Sequence, residues 1–163
     1  MEKRKIEFEL MVFNSLEEMT PADASLLRDA AKAVKGSYAP YSNFRVGAAL
    51  RLRDGQVILG SNQENASFPA GLCAEGVAIF HAGANYPGEI IETIAITAVA
   101  SEDEPSQPVA PCGICRQTIA EYEKKQGSPI AILMMGVKGK IYKCNAIADL
   151  LPLGFDNSFL GDS

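Results

Sequence analysis

The sequence has little of what several common classes of protein require. His81 is the only histidine in 163 residues, so a Ser/His/Asp hydrolytic triad has little support. The glycines form neither a G-x-G-x-x-G nor a Walker pattern, which argues against a loop that cradles nucleotide phosphates. No apolar run is long enough to span a bilayer, and the charged start continues into alternating apolar and Glu residues, unlike a secretory signal. We therefore expect a cytoplasmic protein with no membrane partner.

Basic residues are too few and too scattered to form a surface for nucleic acid. The chain has 15 Lys and Arg against 20 Asp and Glu, a formal net charge of -5 at pH 7. The short cluster of Lys3, Arg4 and Lys5 is typical of a solvated terminus. Because an acidic surface repels a phosphate backbone, we expect no nucleic-acid partner.

Helical and strand-like patterns alternate along the chain, which predicts an α/β fold. Thr20 and Pro21 resemble a helix cap and a first helical residue, and Gly36 ends the apolar stripe that follows. Further helices are predicted at 73–83, 112–126 and near 146–151, and strands at 44–52, 56–60, 93–100, 129–135 and 140–144. An acidic, proline-containing loop is predicted from 101 to 108. The pattern predicts a three-layer αβα sandwich with a mixed central sheet of about five strands.

Residues 1–16 form a predicted N-terminal extension, and residues 17–163 a single domain. Apolar residues of the extension alternate with polar or neutral ones, at Ile6, Phe8, Leu10 and Val12. This alternation is typical of a strand or an extended arm. We expect the extension to add a strand to the sheet or a contact between subunits.

The 4 cysteines fit metal binding better than disulfide bonding. Thiols stay reduced in the cytoplasm, where clustered cysteines more often bind metal or act as nucleophiles. Cys112 and Cys115 lie three apart on one face at the start of a helix, while Cys73 opens another helix. These three can supply thiolates to one tetrahedral Zn²⁺ and leave its fourth position open, as catalytic zinc sites do. Cys144 stands alone and is interpreted as a structural thiol.

A C-x-x-C pair alone is also typical of a thioredoxin-like redox site or of half a zinc ribbon. The redox site needs no third thiol, and the ribbon needs a second pair, which the sequence lacks. C-A-E at 73–75 followed by P-C-x-x-C at 111–115 is instead typical of zinc deaminases. There Zn²⁺ lowers the pKa of its bound water, and a carboxylate moves protons to the ring nitrogen and the departing amine. Glu75, two residues from Cys73, is the predicted catalytic proton shuttle.

Five motifs in order resemble those of the small, homotetrameric, zinc-dependent cytidine deaminases. They are YAPYSNFRVGAA at 38–49, GSNQENASF at 60–68, GLCAE at 71–75, PCGICRQ at 111–117 and LLPLGF at 150–155. The resemblance covers most of the chain and implies the cytidine deaminase fold. It implies hydrolytic deamination of cytidine and 2′-deoxycytidine, with one Zn²⁺ per subunit, in pyrimidine salvage. It also implies a homotetramer with its sites at subunit contacts.

The resemblance further implies which residues bind the nucleoside substrate. Asn62 and Glu64 would hold the ribose 3′-hydroxyl, because an amide and a carboxylate can pair its donor and acceptor sides. Phe44 would pack on the pyrimidine, and the backbone N–H of Ala74 would contact the base. The alternative for Phe44 is core packing, and for Asn62 and Glu64 it is a turn with solvated polar groups.

Two other aromatic residues match positions that the family uses between subunits. Phe68 stands where the family commonly has a Tyr from a neighbouring subunit, so the hydrogen bond of that hydroxyl would be lost. Phe155 resembles a tail aromatic that closes the site of another subunit. Plain core packing is the alternative for both residues.

One departure from the family pattern concerns the charge of the zinc site. The family usually has an Arg directly after the catalytic Glu, where this chain has Gly76. Three thiolates leave the zinc centre net negative, which weakens its ability to acidify water. Arg116, directly after Cys115, is expected to offset the thiolate charge alone.

The missing Arg leaves two alternatives to cytidine deamination open. One is a deaminase of a modified cytosine nucleoside, since the related blasticidin-type deaminases also tend to lack this Arg. The other is a non-catalytic, zinc-stabilised assembly module. The presence of Glu75 argues against that module, because a purely structural zinc site needs no carboxylate there.

Overall fold

A mixed sheet of six strands, in the order β1-β6-β5-β4-β2-β3, forms the centre of the computed structural model, which describes residues 1–99 and 107–161. The strands are β1 (Met11–Phe13), β2 (Arg45–Leu52), β3 (Val57–Ser61), β4 (Ile91–Val99), β5 (Ala131–Met135) and β6 (Ile141–Cys144). The helices are α1 (Pro21–Ala33), α2 (Ala74–Asn85) and α3 (Gly113–Gln126). Strands β4 and β5 run parallel, and the other neighbouring strands are antiparallel.

The predicted helices and strands are present, with small shifts at their ends. The short helix expected near 146–151 is a single 3-10 turn, Ile147–Asp149. Residues 101–106 of the loop expected at 101–108 lie outside the described residues. So does residue 100, the last residue of the strand expected at 93–100. None of the helices in the described part of the chain has both the length and the apolar character needed to cross a membrane.

Alternation along the strands gives the sheet two apolar faces. One face packs against α1 and includes Ala49, Ala95 and Leu133. The other packs against α2 and α3 and includes Leu50, Ile94 and Ile132. Strands β2, β4 and β5 therefore contribute to both cores, and the predicted three-layer αβα sandwich is confirmed.

The sheet has six strands rather than about five because the N-terminal extension supplies one. Strand β1 pairs antiparallel with β6 at the sheet edge, with Val12 opposite Tyr142. Residues 1–10 have no regular secondary structure, and Ile6 and Phe8 are exposed. Leu10 packs against the larger core, which lies between the sheet and helices α2 and α3. The alternation from Ile6 to Val12 thus predicts a longer strand than the chain forms.

A close contact between β3 and α2 fixes the position of the first turn of α2. A Cβ atom on Gly60 would lie 2.3 Å from the carbonyl oxygen of Ala74 and 2.7 Å from the amide nitrogen of Ala78. Only glycine permits this approach of strand to helix. The contact holds the end of the helix that carries Cys73 and Glu75 directly on the sheet.

Both ends of α3 are well defined. The helix begins at the cap residue Cys112 and ends at Gly127, whose φ of 65° lies in the left-handed region that glycine favours. The Glu123 carboxylate accepts the backbone N–H groups of Ile130 at 2.8 Å and Ile147 at 2.9 Å. These bonds tie the end of α3 to the start of β5 and to the 3-10 turn after β6.

A buried ion-pair network joins α1 to the sheet. Asp23 is 5% exposed in the first turn of α1, where its N–H donates to the Thr20 side chain at 3.2 Å. Its carboxylate lies 2.7 Å from the Lys143 ammonium and 3.3 Å from the Arg51 guanidinium. Burial alone would raise the pKa of Asp23, but the hydrogen bonds and charges of Lys143 and Arg51 outweigh burial and hold that pKa below its ordinary value.

We predict that Asp23→Asn lowers the free energy of unfolding at pH 7 by about 2 kcal/mol, because it leaves Lys143 and Arg51 without their carboxylate. The pKa of Asp23 is lower in the folded than in the unfolded chain. Its contribution is therefore fully present above about pH 4 and is lost as the pH falls through the folded-state pKa. Urea titrations at about pH 7 and pH 3 measure both effects.

Asp29→Asn is the matched control for this prediction. Asp29 lies on the same helix and pairs with the exposed Lys32 at 2.7 Å, so its loss should cost less than about 0.5 kcal/mol. Equal losses in the two variants, or a loss for Asp23→Asn that is undiminished at about pH 3, would contradict the proposed network.

We predict a structural role for the N-terminal extension. Removal of residues 1–13 should lower the free energy of unfolding by about 2 kcal/mol, because it deletes β1 and the packing of Leu10 and Phe13. Removal of residues 1–5, all exposed, is the matched control and should change it by less than about 0.5 kcal/mol. Denaturant titration and light scattering check the result. Unchanged stability and unchanged oligomeric size after the longer deletion would exclude this role.

Candidate active site

Three cysteines meet where α2 and α3 begin. Cys73 is the cap residue before α2, Cys112 is the cap residue before α3, and Cys115 lies in the first turn of α3. Their Sγ atoms all lie within 4.8 Å of one another, with Cys73 and Cys112 3.7 Å apart and Cys112 and Cys115 3.6 Å apart. Cys144 is buried in the larger core and does not belong to this group.

The spacing of the sulfur atoms fits one tetrahedral Zn²⁺. Zinc–sulfur bonds of about 2.3 Å at tetrahedral angles place neighbouring sulfurs about 3.8 Å apart. The observed separations are 3.7 and 3.6 Å. Among residues 1–99 and 107–161, no other group of three His, Cys, Asp or Glu side chains meets in this way. Three thiolates on zinc leave one coordination position open for water or substrate.

Hydrogen bonding within the cluster separates the proton affinities of its thiols. The hydrogen bond from the Cys115 thiol lowers the pKa of Cys73 to about 7. The same bond, together with burial, raises the pKa of Cys115. The N-termini of α2 and α3 add unpaired N–H groups and partial positive charge at this point. The lowered pKa therefore favours thiolate, the form that binds metal, at Cys73, while Cys115 keeps its proton more firmly.

Glu75 places a carboxyl group beside the cysteine cluster. It lies in the first turn of α2 and is only 4% exposed, and this burial raises its pKa above the ordinary value of a glutamate. The next residue, Gly76, has room for a Cβ atom, which would meet only the Phe80 ring, at 3.6 Å. The absence of Arg at position 76 is therefore not forced by crowding.

A cavity of about 710 Å³ opens over Glu75 and the cysteine cluster. Its walls include Tyr41, Ser42, Phe44, Val46, Asn62, Glu64, Phe68, Leu72, Cys73, Glu75, Cys112 and Ile114. The cavity brings together the predicted proton shuttle, two of the predicted zinc ligands and four of the predicted nucleoside contacts. No role was predicted for the wall residues Tyr41, Ser42 and Ile114, although all three lie inside the motifs at 38–49 and 111–117.

Asn62 and Glu64 are held in place by the chain around them. The buried Asn62 side chain accepts the N–H of Val46 at 2.8 Å and donates to the carbonyl of Phe44 at 2.9 Å. The Glu64 carboxylate accepts hydrogen bonds from a serine hydroxyl and from backbone N–H groups at 41–42, which hold its pKa below the ordinary value. Asn62 is therefore not a solvated turn residue.

Two predicted nucleoside contacts lie outside the cavity walls. Ala74 is buried as the first residue of α2, so its backbone N–H has no partner within the helix. Phe155 is 55% exposed and stacks on Phe159, with ring centroids 5.5 Å apart. Phe68, within the walls, is 77% exposed, so neither Phe68 nor Phe155 is packed into a core of this subunit.

Arg116 directs its guanidinium to backbone carbonyl groups. It donates to the carbonyl oxygens of Pro111 and Leu150, each at 2.9 Å. Arg116 thereby links the start of α3 to the chain segment after β6. Its role in offsetting the thiolate charge stays a prediction.

Comparisons with known proteins agree with this geometry. The cytidine and deoxycytidylate deaminase zinc-binding region matches residues 20–127. A cytidine deaminase from Halalkalibacterium halodurans is 38% identical over 137 residues, which cover 84% of this chain and 96% of that protein. A blasticidin-S deaminase from Bacillus cereus is 30% identical over 68% of this chain and 76% of that protein.

The fold is also similar to solved structures. The crystal structure of a cytidine deaminase from Burkholderia pseudomallei has a TM-score of 0.71 and 40% sequence identity, covering 84% of this chain and all of that one. Sequence, fold and the three-cysteine cluster thus lead to the same assignment. The chain belongs to the cytidine and deoxycytidylate deaminase family.

Proposed function

We propose that the chain catalyses the hydrolytic deamination of cytidine and 2′-deoxycytidine to uridine and 2′-deoxyuridine, with release of ammonia. The observation that carries this proposal is the buried Glu75 carboxyl group, which shares one cavity with the cysteine cluster. The relatives described above that are named cytidine deaminases support the choice of substrate. The acidic surface favours a free nucleoside over a polynucleotide.

Glu75 is the group that moves protons in the proposed reaction. Cys73, Cys112 and Cys115 would hold Zn²⁺, which would act there as a Lewis acid that lowers the pKa of water. The Glu75 carboxylate takes a proton from the attacking water and delivers it to the ring nitrogen N3. It then takes the second proton of that water from the hydroxyl now on C4 and delivers it to the departing amino group. The water oxygen becomes the new carbonyl at C4, and the amine leaves as ammonia. Burial keeps this carboxylate away from bulk water, so its protons pass to the substrate.

The cavity walls bind the two parts of the nucleoside. The ring of Phe44 packs on the pyrimidine, while Asn62 and Glu64 hold the ribose 3′-hydroxyl. The N–H of Ala74 is free to contact the base, because the first residue of a helix has no intrahelical acceptor. These contacts are common to cytidine and 2′-deoxycytidine, since both carry the 3′-hydroxyl.

The active form in this proposal is a homotetramer that completes each site with residues of neighbouring subunits. Phe68, Ile114 and Phe155 are 77%, 78% and 55% exposed in the single subunit. The first two border the cavity, and exposed apolar groups of this size favour an interface.

The proposed location is the cytoplasm. None of the four cysteines forms a disulfide bond, which suits the reducing conditions there.

We predict that Glu75→Gln lowers kcat/KM for cytidine by about 10²- to 10⁴-fold, because the amide cannot carry the proton. Loss of substrate absorbance measures the rate, and metal analysis should show that zinc is retained. Glu121→Gln, at an exposed carboxylate of α3, is the matched control and should react like the unchanged enzyme. A Glu75→Gln variant with full activity would contradict the proposed shuttle.

The same assay separates the alternative functions. Zinc-loaded, folded protein that leaves cytidine intact would exclude the proposed substrate. Turnover of a modified cytosine nucleoside would then identify the blasticidin-like alternative, and no turnover of either would favour the assembly module.

We predict that Cys112→Ala loses most of the bound zinc, because two thiolates remain for a site that needs three protein ligands. Cys144→Ala removes a thiol outside the cluster and should keep one zinc per subunit. Elemental analysis of the purified variants measures this difference without reference to activity. Equal zinc contents in the two variants would contradict the assignment of the metal site.

A further inference from the structure

The Glu64 carboxylate is held by a loop of two residues. One of its oxygens accepts the backbone N–H groups of Tyr41 at 2.8 Å and Ser42 at 3.3 Å. The other accepts a hydrogen bond from the Ser42 hydroxyl. Three donors therefore point at a carboxylate that the proposed function places against the ribose.

The Ser42 hydroxyl also contacts Phe44, the base-stacking residue, which directly precedes β2. The backbone N–H of Phe44 donates to the Ser42 oxygen at 3.0 Å. A serine hydroxyl has one proton and two lone pairs. The proton goes to Glu64 and one lone pair accepts from Phe44, so a single side chain connects the ribose-binding and base-stacking walls of the cavity.

The hydrogen-bonding positions still unused on Glu64 and Asn62 match one substrate hydroxyl. A carboxylate offers about four lone pairs, and three of those on Glu64 are already used. The Asn62 amide has one N–H bonded to the Phe44 carbonyl and leaves its second N–H free of that bond. One hydroxyl can therefore donate to Glu64 and accept from Asn62, provided that Glu64 keeps its present orientation.

We propose that Ser42 is a positioning residue for substrate binding: its hydroxyl orients the Glu64 carboxylate toward the ribose 3′-hydroxyl and fixes it relative to Phe44. This inference rests on the proposed function, because it takes the nucleoside as the ligand. Ser42 acts through Glu64 and lies outside the zinc cluster and the proton shuttle. Its loss should therefore weaken binding of substrate and transition state alike, which raises KM and leaves kcat nearly unchanged.

The test compares two substrates on the zinc-loaded enzyme. Ser42→Ala should raise KM for cytidine about tenfold, the effect of one charge-assisted hydrogen bond, with kcat within about twofold of the unchanged enzyme. For 3′-deoxycytidine, which lacks the hydroxyl that Glu64 binds, KM should rise far less, because only the contact between Ser42 and Phe44 is lost. An unchanged KM for cytidine, or an equal rise for both nucleosides, would overturn the proposal.

A second pair of variants guards against a purely structural effect. Ser42→Thr keeps the hydroxyl. Ser42→Val introduces a side chain with nearly the same shape as threonine but without the hydroxyl. The threonine variant should bind cytidine nearly as well as the unchanged enzyme, and the valine variant should match Ser42→Ala. Equal KM values in these two variants would show that the hydroxyl is irrelevant.

Failure of the proposed function gives a different result from failure of this inference. An unchanged, zinc-loaded protein that converts neither nucleoside contradicts the proposed reaction. In that case calorimetric dissociation constants for cytidine and 3′-deoxycytidine replace KM in the same comparison. A preference for cytidine that disappears in Ser42→Ala supports the role of Ser42, and a preference that persists overturns it.

Discussion

Three sulfur atoms within 4.8 Å of one another require two helices to begin at the same point, and the architecture around the site serves that requirement. Cys73 and Cys112 occupy the cap positions of α2 and α3, yet neither side chain caps its helix. A Ser or Asp cap stabilises a helix by about 1 kcal/mol. Both helices therefore lack this stabilisation, because a cysteine that can bind metal occupies the cap position. Close packing replaces it: Gly60 lets α2 rest on β3, and Gly83 accommodates the Tyr122 ring of α3.

The electrostatics of the cluster follow from the same convergence. Three thiolates on one Zn²⁺ carry a net negative charge, and the two helix N-termini provide partial positive charge against it. Arg116 donates hydrogen bonds to the carbonyl oxygens of Pro111 and Leu150, and its effect on the thiolate charge stays a prediction. Because Gly76 adds no cation, we expect the helix N-termini to offset more of the thiolate charge than they would beside an Arg.

The parts of this structure that sequence analysis predicts are those set by short-range spacing. The three-residue interval between Cys112 and Cys115 and the C-A-E triplet at 73–75 each determine a local geometry, and the apolar run at 93–100 predicts the buried strand β4. The motifs also predict that Cys73 meets Cys112 and Cys115, and an added strand is one expectation for the N-terminal extension, but the partners of most other distant contacts have no local signature. Strand β1 exists only because β6 offers it an edge, and Asn62 is buried by partners at Phe44 and Val46 that no local pattern announces. Ser42 stood inside an identified motif, but its link to Glu64 spans 22 residues.

The uneven polarity of the cavity supports the proposed tetramer. At its floor, the buried carboxyl group of Glu75 and the thiols of Cys73 and Cys112 need surroundings from which bulk water is excluded, because water would screen the charges that develop in the reaction. At its mouth, Phe68 and Ile114 are more than three-quarters exposed and cannot exclude water from one subunit alone. Apolar groups around an open polar site exclude water from it once another protein surface covers them. In the proposed tetramer, assembly and catalysis therefore depend on the same contact, and a subunit on its own would hold the reacting groups without the enclosure that makes them effective.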